Sequence, residues 1–379
     1  MKKQPVNLKF ICQQEINMKN HFNTFGALFI KNMRHLLFSI CCLCQFQLCV
    51  NAQKANYKVA VVGFYNLENL YDTINDPSKD DEEFLPGGAR LYNSEVYNDK
   101  LGRLAHVLSE MGKDRSPDGL ALVGVAEIEN DTVLTDLVKQ DRLKDRHWKF
   151  VHYNSPDVRG VDVGLLYNPK YFSVLNSAPL FVQLPGGSKE AFFTRDVLYV
   201  KGMLGQDTVH VFVNHWPSRR GGEERSAPAR AAAAMVCKKR VDSLTALDPN
   251  VKIIVMGDLN DDPISPSLTE VLKAKGKMED VKAPEMFNPW VWYYKKGLGT
   301  LAYQDSWGLF DQIVLSAGWL PKEQKGFHYY KANIFNQEFM VQKTGKYHGY
   351  AKRTYDGNTY NYGYSDHFPT YITMLMKVE

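Results

Sequence analysis

From about residue 55 onward, the chain alternates short apolar runs with polar breaks, and most runs have the length of a β-strand. Aliphatic and β-branched residues dominate these runs, which predicts buried strands. The predicted strands cover residues 58–65, 120–126, 161–167, 196–204, 208–213, 252–256, 312–315 and 370–375. Helical spacing predicts three helices, at residues 94–111 with Ser94 as N-cap, at 131–139 and at 223–246.

The order of these elements indicates the fold class. Strands 196–204 and 208–213 are separated by three residues, which predicts a hairpin. Because several strands follow one another in this way, we expect mixed or antiparallel sheets and not a parallel doubly wound sheet. Pro228 must lie in the first turn of the third helix or break it. No long linker or repeat interrupts residues 55–379, so a single domain is expected there.

Residues 1–52 have a different character. Met33-Arg-His is followed by an apolar run over residues 36–50 and then by Asn51-Ala52-Gln53, the pattern of a signal peptide. We expect Met33 to be the true start, with residues 1–32 an upstream extension of the gene. The mature chain is then exported to the periplasm, the outer surface or the medium, with no stable membrane span after cleavage. A retained anchor or a lipid on Cys49 is the alternative.

Composition and net charge give little information about what the protein binds. The 379-residue chain has a formal charge of +4, too small to mark a strongly basic nucleic-acid binder. Five of the six cysteines precede residue 50, so the remaining body cannot hold an internal disulfide. Cys237, in an alanine-rich helical stretch, is expected to be a small buried residue.

Polar side chains stand at the ends of several predicted strands. Asn66 follows the first strand and Glu127 ends the second, where a carboxylate makes a good ligand for Mg²⁺. Asp258 and Asn260 follow Gly257 at the end of another strand. On an extended backbone these two side chains point the same way, so they face one small volume. Turns and helix caps are the alternative explanation for each group taken alone.

The strand at residues 208–213 leads into Asn214-His215-Trp216 and then into a flexible, doubly basic loop. Arg219 and Arg220 in this loop are suited to binding phosphate. A single histidine is more often structural than catalytic. The basic loop beside His215 favours a functional role, because cations at a helix N-terminus do not stabilise the helix.

The last motif is Ser365-Asp366-His367, which precedes the final strand, while Asp311 precedes strand 312–315. An Asp311–His367 dyad is predicted, in which the carboxylate fixes the imidazole tautomer and raises its basicity. Asp366 would point away from His367 on an extended chain, and a metal or water ligand is its better role.

These motifs together resemble the endonuclease/exonuclease/phosphatase family, which includes pancreatic deoxyribonuclease, abasic-site endonucleases, inositol-polyphosphate 5-phosphatases and bacterial sphingomyelinases. The chain looks most like its exported Bacteroides-type members. The resemblance spans the whole mature domain and is carried by the order of its motifs: Asn66, Glu127, Asn214-His215, Asp258-Leu-Asn260, Asp311 and Ser365-Asp366-His367. It implies a four-layer α/β sandwich, two mixed β-sheets packed face to face with helices outside.

The resemblance also implies a Mg²⁺- or Mn²⁺-dependent hydrolase and a role for each residue. Glu127 would be the principal metal ligand, helped by Asn66 and Asp366. Asp258 would orient or deprotonate the attacking water, and Asn260 would hold the phosphate. The catalytic set is completed by residues with acid–base or supporting roles: His367 as the other acid or base, Asp311 steering it, and His215 contacting the phosphate or the leaving oxygen. Asn214, Arg219, Arg220 and Asp162 complete the substrate site, with Asp162 as a partner of His215.

The substrate remains open at this level. We expect a phosphodiester, nucleic acid first, cleaved by an exported monomeric endonuclease-like enzyme. A phosphomonoesterase, a sphingomyelinase-like lipid phosphodiesterase and a catalytically idle binding protein are the alternatives. The aromatic segment at residues 286–307 is expected to be core rather than a lid over bases or lipid. The Tyr/Gly-rich segment at residues 347–364 should shape the mouth of the pocket.

Overall fold

Two large β-sheets form the frame of the protein in a computed structural model of the chain. The structure describes residues 56–186, 193–320 and 326–378. The predicted extension and signal peptide at residues 1–52, with their five cysteines, lie outside the described residues. Within the described ranges, no helix is both long enough and apolar enough to cross a bilayer.

Most strands are short, as the alternation of apolar runs and polar breaks predicts, but β1 has 14 residues and extends beyond the predicted strand 58–65. In chain order they are β1 Tyr57–Leu70, β2 Leu122–Ile128, β3 Lys149–His152, β4 Asp162–Tyr167, β5 Phe172–Leu180, β6 Val197–Leu204, β7 Asp207–His215, β8 Lys252–Asp258, β9 Ala274–Lys275, β10 Met286–Phe287, β11 Leu301–Tyr303, β12 Ser306–Gly308, β13 Asp311–Ser316, β14 His328–Ile334, β15 Tyr355–Asp356, β16 Thr359–Tyr360 and β17 Thr370–Lys377. The helices are α1 Ser94–Glu110, α2 Asp131–Val138, α3 Glu223–Leu247 and α4 Trp290–Lys295.

Both large sheets are mixed. The first has six strands in the order β14-β17-β1-β2-β4-β3, and the second has seven in the order β5-β6-β7-β8-β13-β10-β9. At the centre of the first sheet, β1 pairs with β2 in parallel and with β17 antiparallel. At the centre of the second, β7 and β8 are parallel and β13 is antiparallel to β8. The predicted hairpin is confirmed, since Leu204 pairs with Asp207.

Three apolar clusters divide the protein into four layers. The middle cluster lies between the two sheets and includes Val62 and Phe64 of β1 with Val213 of β7 and Met256 of β8. The second packs α1 and α2 against the outer face of the first sheet. The third packs α3 against the outer face of the second sheet. The four-layer α/β sandwich expected from the sequence is therefore confirmed.

The two sheets approach closely at Gly124 of β2. A Cβ atom there would lie 2.6 Å from Met256 Sδ and 3.0 Å from Val213 Cγ1, so any larger residue would displace these side chains of the second sheet. This contact is near the ends of β2, β7 and β8 that carry the polar groups. It therefore sets how closely the groups from the two sheets can meet.

Two local predictions are wrong. Ser94 is the first residue of α1 and not its cap, because Asn93 has extended backbone and its side chain accepts from Glu95 N and Val96 N. Pro228 lies inside α3, beyond its first turn, without breaking it. A proline there removes one backbone hydrogen bond, which the packing of a 25-residue helix tolerates. The sequence prediction also missed β5 and β14, whose residues are mostly half-buried or exposed.

Candidate active site

The polar strand ends meet at one edge of the sandwich, and the strand pairing explains why. In the second sheet, His215 and Asp311 are both direct neighbours of Asp258 in the strand register. In the first sheet, Asn66 pairs with Ala126, the residue before Glu127. The amide of Asn66 then donates to Asp258 Oδ2 at 3.0 Å, which joins the two sheets at this edge.

Asp258 is the centre of the cluster. It is almost completely buried, and its other carboxylate oxygen, Oδ1, accepts from the backbone N–H of Asn260 at 3.1 Å. Its Oδ2 lies 3.7 Å from His215 Nε2 and 3.9 Å from His367 Nε2. Two imidazoles therefore face one carboxylate, an arrangement suited to moving protons around a small bound group.

His367 and Asp311 form the dyad that the sequence predicts. His367 Nδ1 lies 2.7 Å from Asp311 Oδ2, and Asp311 is fully buried. Asp311 Oδ1 has no hydrogen-bond partner among the described residues. Because Nδ1 is committed to Asp311, the other ring nitrogen, Nε2, is the one presented to Asp258 and the cleft.

Glu127 lies on the other side of His215. Its Oε1 is 3.8 Å from His215 Nε2, and its Oε2 accepts from the backbone N–H of Asn69 at 2.9 Å. The guanidinium of Arg159 lies 3.7 Å from the same Oε2 and donates to the side chain of Asn69 at 2.6 Å. Asn69 and Arg159 thus hold Glu127 in place beside the histidine.

The two histidines have opposite electrostatic settings. Burial, assisted by nearby arginines, holds the pKa of His215 well below its ordinary value, so this ring is neutral at pH 7. Burial also acts to lower the pKa of His367, but Asp311 and Asp258 outweigh it and raise that pKa well above the ordinary value. Burial raises the pKa of Asp258 to about 6, against the lowering effect of His367. A protonated imidazole, His367, and a carboxylate, Asp258, therefore lie 3.9 Å apart as a possible acid and base.

Strained backbone is concentrated at this edge. Glu68, Asn69, Glu127 and Asn260 all have positive φ, at 50°, 52°, 59° and 50°. Non-glycine residues in this region are uncommon and each costs on the order of 1 kcal/mol or more. The surrounding hydrogen bonds hold them there, as in the contact from Asn69 N to Glu127. Such strain is typical of sites where side-chain position matters more than local stability.

The Ser365-Asp366-His367 segment is tied to β1. Ser365 Oγ donates to the carbonyl of Asn66 at 2.7 Å and accepts from His367 N at 3.1 Å. Asp366 faces the cleft, 3.2 Å from the guanidinium of Arg353 and 3.9 Å from His367 Nε2. Asp366 therefore lies beside the dyad and is partly accessible, as a ligand for metal or water would be.

Two of the predicted substrate residues have other partners. The Asn214 side chain is buried, donates to the carbonyl of Met256 at 3.0 Å and accepts from Trp216 Nε1 at 2.9 Å. It thus positions the end of β7 and does not face the cleft. The Asp162 carboxylate accepts from Ser155 N at 2.9 Å and lies 3.2 Å from His152 Nε2. The structure thus pairs Asp162 with His152 and not with His215.

The two loop arginines differ from each other. Arg219 donates to the carbonyl of Asn260 at 2.9 Å and is paired with Glu223 and Asp262. It therefore fixes the loop beside Asn260, whose amide donates to Trp216 O at 2.9 Å. Arg220, by contrast, is exposed.

Sequence reasoning missed Lys100, a fully buried lysine on α1. Its ammonium donates to the carbonyl of Glu68 and, at 2.8 Å, to Thr354 Oγ1. The carboxylate of Glu68 accepts from Thr354 N at 2.7 Å. Lys100 therefore ties the strained turn after Asn66 to the segment that leads to Asp366. A charged residue on the apolar face of a predicted helix, between Tyr97 and Leu104, was the available signal.

The donor set fits a hard divalent cation. Ligand atoms of Asp258, Asp311 and His367 all lie within 4.8 Å of one another. Glu127 and Asn66 add a carboxylate and a carboxamide beside them, and Asp311 Oδ1 is buried without a partner in the described ranges. Mg²⁺ and Mn²⁺ prefer such oxygen ligands. Since His367 Nδ1 is engaged by Asp311, we regard the carboxylates and Asn66 as the better ligands.

A four-layer sandwich with acidic, amide and imidazole groups at one edge is the architecture of a class of phosphoester hydrolases. Residues 61–376 match the Endonuclease/Exonuclease/phosphatase family, and the chain belongs to this family. Members of the family depend on divalent metal, which agrees with the donor set described above.

Solved structures agree on the fold. An endonuclease/exonuclease/phosphatase family protein from Bacteroides thetaiotaomicron matches with a TM-score of 0.51 and 14% identity, covering 86% of this chain and 100% of that one. A mannosyl-6-phosphatase from the same organism matches with a TM-score of 0.51 and 15% identity, covering 83% and 99%. At these identities the likeness shows the fold alone. No curated protein matches the chain.

Proposed function

We propose that the protein hydrolyses phosphodiester bonds with the help of Mg²⁺ or Mn²⁺. The observation that carries this proposal is the convergence of Glu127, Asp258, His215 and the Asp311–His367 dyad within hydrogen-bonding or near-contact distances at one edge. Glu127 and Asn66, with Asp366 nearby, would hold the cation. When bound, the cation neutralises charge on the nonbridging phosphate oxygens.

The roles of the remaining groups follow from their electrostatics. Asp258, with its pKa raised to about 6, is an effective base for a water molecule held between the two imidazoles. His367, whose pKa is raised well above its ordinary value, is protonated at pH 7 and can donate a proton from Nε2 to the departing oxygen. Asp311 keeps that ring in place and stabilises its charge. His215 is neutral, so its role is to donate a hydrogen bond to a phosphate oxygen.

Two grooves of about 1100 Å³ each support a diester over a monoester: one is lined by His367 itself, and the other by Arg159 and Arg195, which contact Glu127 and His215. The arginine groove is lined by Arg159, Phe181, Phe193, Arg220 and Arg225. The tyrosine groove is lined by Tyr294, Tyr303, Trp307, Arg353 and His367. Ser218 and Arg220 line both, so the loop at residues 217–222 separates them. A phosphodiester has a substituent on each side of the phosphorus, and each groove can accept one. A monoester would leave one groove without a ligand.

The test is a substrate panel with and without Mg²⁺: plasmid DNA, RNA, sphingomyelin, inositol phosphates, 4-nitrophenyl phosphate and bis(4-nitrophenyl) phosphate. The proposal expects metal-dependent cleavage of the diesters, with nucleic acid the preferred natural substrate. Turnover of monoesters alone would show a phosphatase, and turnover of sphingomyelin alone a lipid phosphodiesterase. Absence of turnover on every substrate would favour a binding protein without catalytic activity.

We also propose that a single catalytic domain covers residues 55–379 and that it is exported as a monomer. The signal-like pattern at residues 33–53 supports the export proposal. N-terminal sequencing of protein recovered outside the cytoplasm should give a start near Gln53. A start at Met1 would contradict export, and light scattering of the mature protein would test the monomer.

A further inference from the structure

The arginine groove has features that phosphodiester hydrolysis alone does not require. It runs from the end of β5 and the start of β6 to the loop that follows His215. One wall carries arginines from that loop and from the first turn of α3. The other carries two phenylalanines, from the segments that flank β5 and β6.

Two arginines in this wall have no acidic partner among the described residues. Arg220 and Arg225 are exposed, and neither forms an ion pair within the described residues. By contrast, Arg219 and Arg230 in the same stretch are paired with Asp262 and Asp261. Both guanidiniums are therefore available to bind an anionic ligand, and their planar donor geometry matches phosphate.

The facing wall exposes aromatic surface. Phe181 is 50% exposed and Phe193 is 38% exposed, with their ring centroids 6.3 Å apart at an interplanar angle of 57°. Large aromatic side chains are normally buried, so two exposed neighbours inside a groove call for a ligand with apolar, flat surface. A nucleobase has such a surface, and it can stack on a phenylalanine ring whatever its identity.

The groove is joined to the catalytic cluster by buried contacts. Arg159 lines the groove and lies 3.7 Å from Glu127. Arg195, also in its lining, donates to the backbone carbonyls of His215 at 3.1 Å and Trp216 at 2.8 Å, and is paired with Asp157. Arg159 and Arg195 therefore connect the wall of the groove to Glu127 and to the end of β7, so a chain bound in the groove lies next to the catalytic edge.

We propose that the arginine groove binds a single-stranded polynucleotide adjoining the scissile phosphate, with bases on Phe181 and Phe193 and phosphates on Arg220 and Arg225. This inference rests on the proposed function and specifies its substrate. Single strands are favoured over duplexes because paired bases hide the faces that the phenylalanines would stack on. A lipid is disfavoured because arginines, and not further apolar side chains, form the opposite wall.

The test compares oligonucleotides with a small substrate on the full-length protein. The variants are Phe181→Ala/Phe193→Ala and Arg225→Ala, with Tyr330→Ala and Lys239→Ala as controls at exposed positions outside the groove. The double phenylalanine variant should raise KM for oligo-dT and oligo-U at least about thirtyfold, because the loss of stacking costs at least about 1 kcal/mol for each of the two bases. It should raise KM for bis(4-nitrophenyl) phosphate, which offers the groove one ring and no further phosphates, by a smaller factor, and the controls should match the wild type.

Binding is measured separately, by fluorescence anisotropy of labelled oligo-dT in chelator. Arg225→Ala should reduce the slope of log K against log salt concentration by about 0.7, the value for one phosphate contact on a single strand. An unchanged slope, wild-type binding by the phenylalanine variant, or tighter binding of duplex or of lipid vesicles would overturn the groove proposal. Failure of hydrolysis with groove-dependent binding intact would overturn the proposed function alone.

Discussion

Replacing Asp311 with asparagine should separate catalysis from stability. Asp311 holds His367 Nδ1 at 2.7 Å and, with Asp258, keeps the pKa of that imidazole raised against burial. Asp311→Asn removes the charge and keeps the shape, so His367 loses its main reason to be protonated at pH 7. Loss of a positioned general acid lowers the rate by a factor of about 10²–10⁴, which corresponds to an increase of about 3–5 kcal/mol in activation free energy.

The same substitution should change stability little. The asparagine oxygen can still accept from His367, and the change removes a fully buried charge whose second oxygen has no partner among the described residues. We therefore expect the free energy of unfolding to change by less than about 1.5 kcal/mol, the net value of one hydrogen bond. Both quantities are measured on one preparation, with kcat/KM on bis(4-nitrophenyl) phosphate and unfolding in urea.

A matched aspartate lies at the other end of β7. Asp207 pairs with Lys252 at 2.9 Å and accepts from Phe327 N at 2.6 Å, about 26 Å along the strand from His215. Asp207→Asn should lower the free energy of unfolding by about 1.5–3 kcal/mol and leave kcat/KM unchanged. If Asp311→Asn keeps wild-type activity, or loses activity only in proportion to stability, the dyad has no catalytic role.

Three further outcomes are expected. Lys100→Met should lower both stability and kcat, because it frees the turn that presents Asn66, and urea unfolding with steady-state kinetics measures both. Glu127→Gln should raise the Mg²⁺ concentration needed for half-maximal rate at least tenfold with the melting temperature unchanged; an unshifted metal titration would remove Glu127 from the metal site. Burial, with Lys201 and Arg240, lowers the pKa of His210 to about 4, so the fold favours its neutral form. The contribution of neutral His210 to the free energy of unfolding is complete above about pH 6.5 and is lost as the pH falls toward 4. Thermal melts between about pH 7 and pH 4 should therefore show a smaller decrease in melting temperature for His210→Gln than for the wild type.

The meeting of most of these polar groups at one edge was predictable because most of them stand where strands begin or end. A polar group after an apolar run marks a strand end, as Glu127 and Asp258 show, and Asp311 begins an antiparallel strand at the same edge. Asn66 was predicted to follow the first strand but lies inside β1, four residues before its end, where the pairing with β2 shifts register. The dyad partner His367 followed from its position just before the last strand. These predictions of position needed only the period of the strands and the order of the motifs, whereas the catalytic and metal-binding roles came from the family resemblance and stay predictions.

The parts that failed depend on side-chain direction and on distant packing. Asn214 and His215 are adjacent on β7, so their side chains point to opposite faces, and only His215 faces the cleft. Asp162 lies at the correct edge but faces His152 on the neighbouring strand β3. Lys100 reaches the site from a helix and contacts Glu68, about thirty residues earlier in the sequence, and no local sequence pattern predicts this contact.

The central claim is tested most directly by chelator treatment and metal return on the wild type and His367→Ala, with bis(4-nitrophenyl) phosphate as substrate. Wild-type hydrolysis should disappear in chelator and return with Mg²⁺ or Mn²⁺. His367→Ala should remain nearly inactive under both conditions while keeping the folded state, as checked by circular dichroism. Hydrolysis that ignores the chelator, or a His367→Ala variant with the wild-type rate, would contradict a metal-dependent centre at this edge of the sandwich.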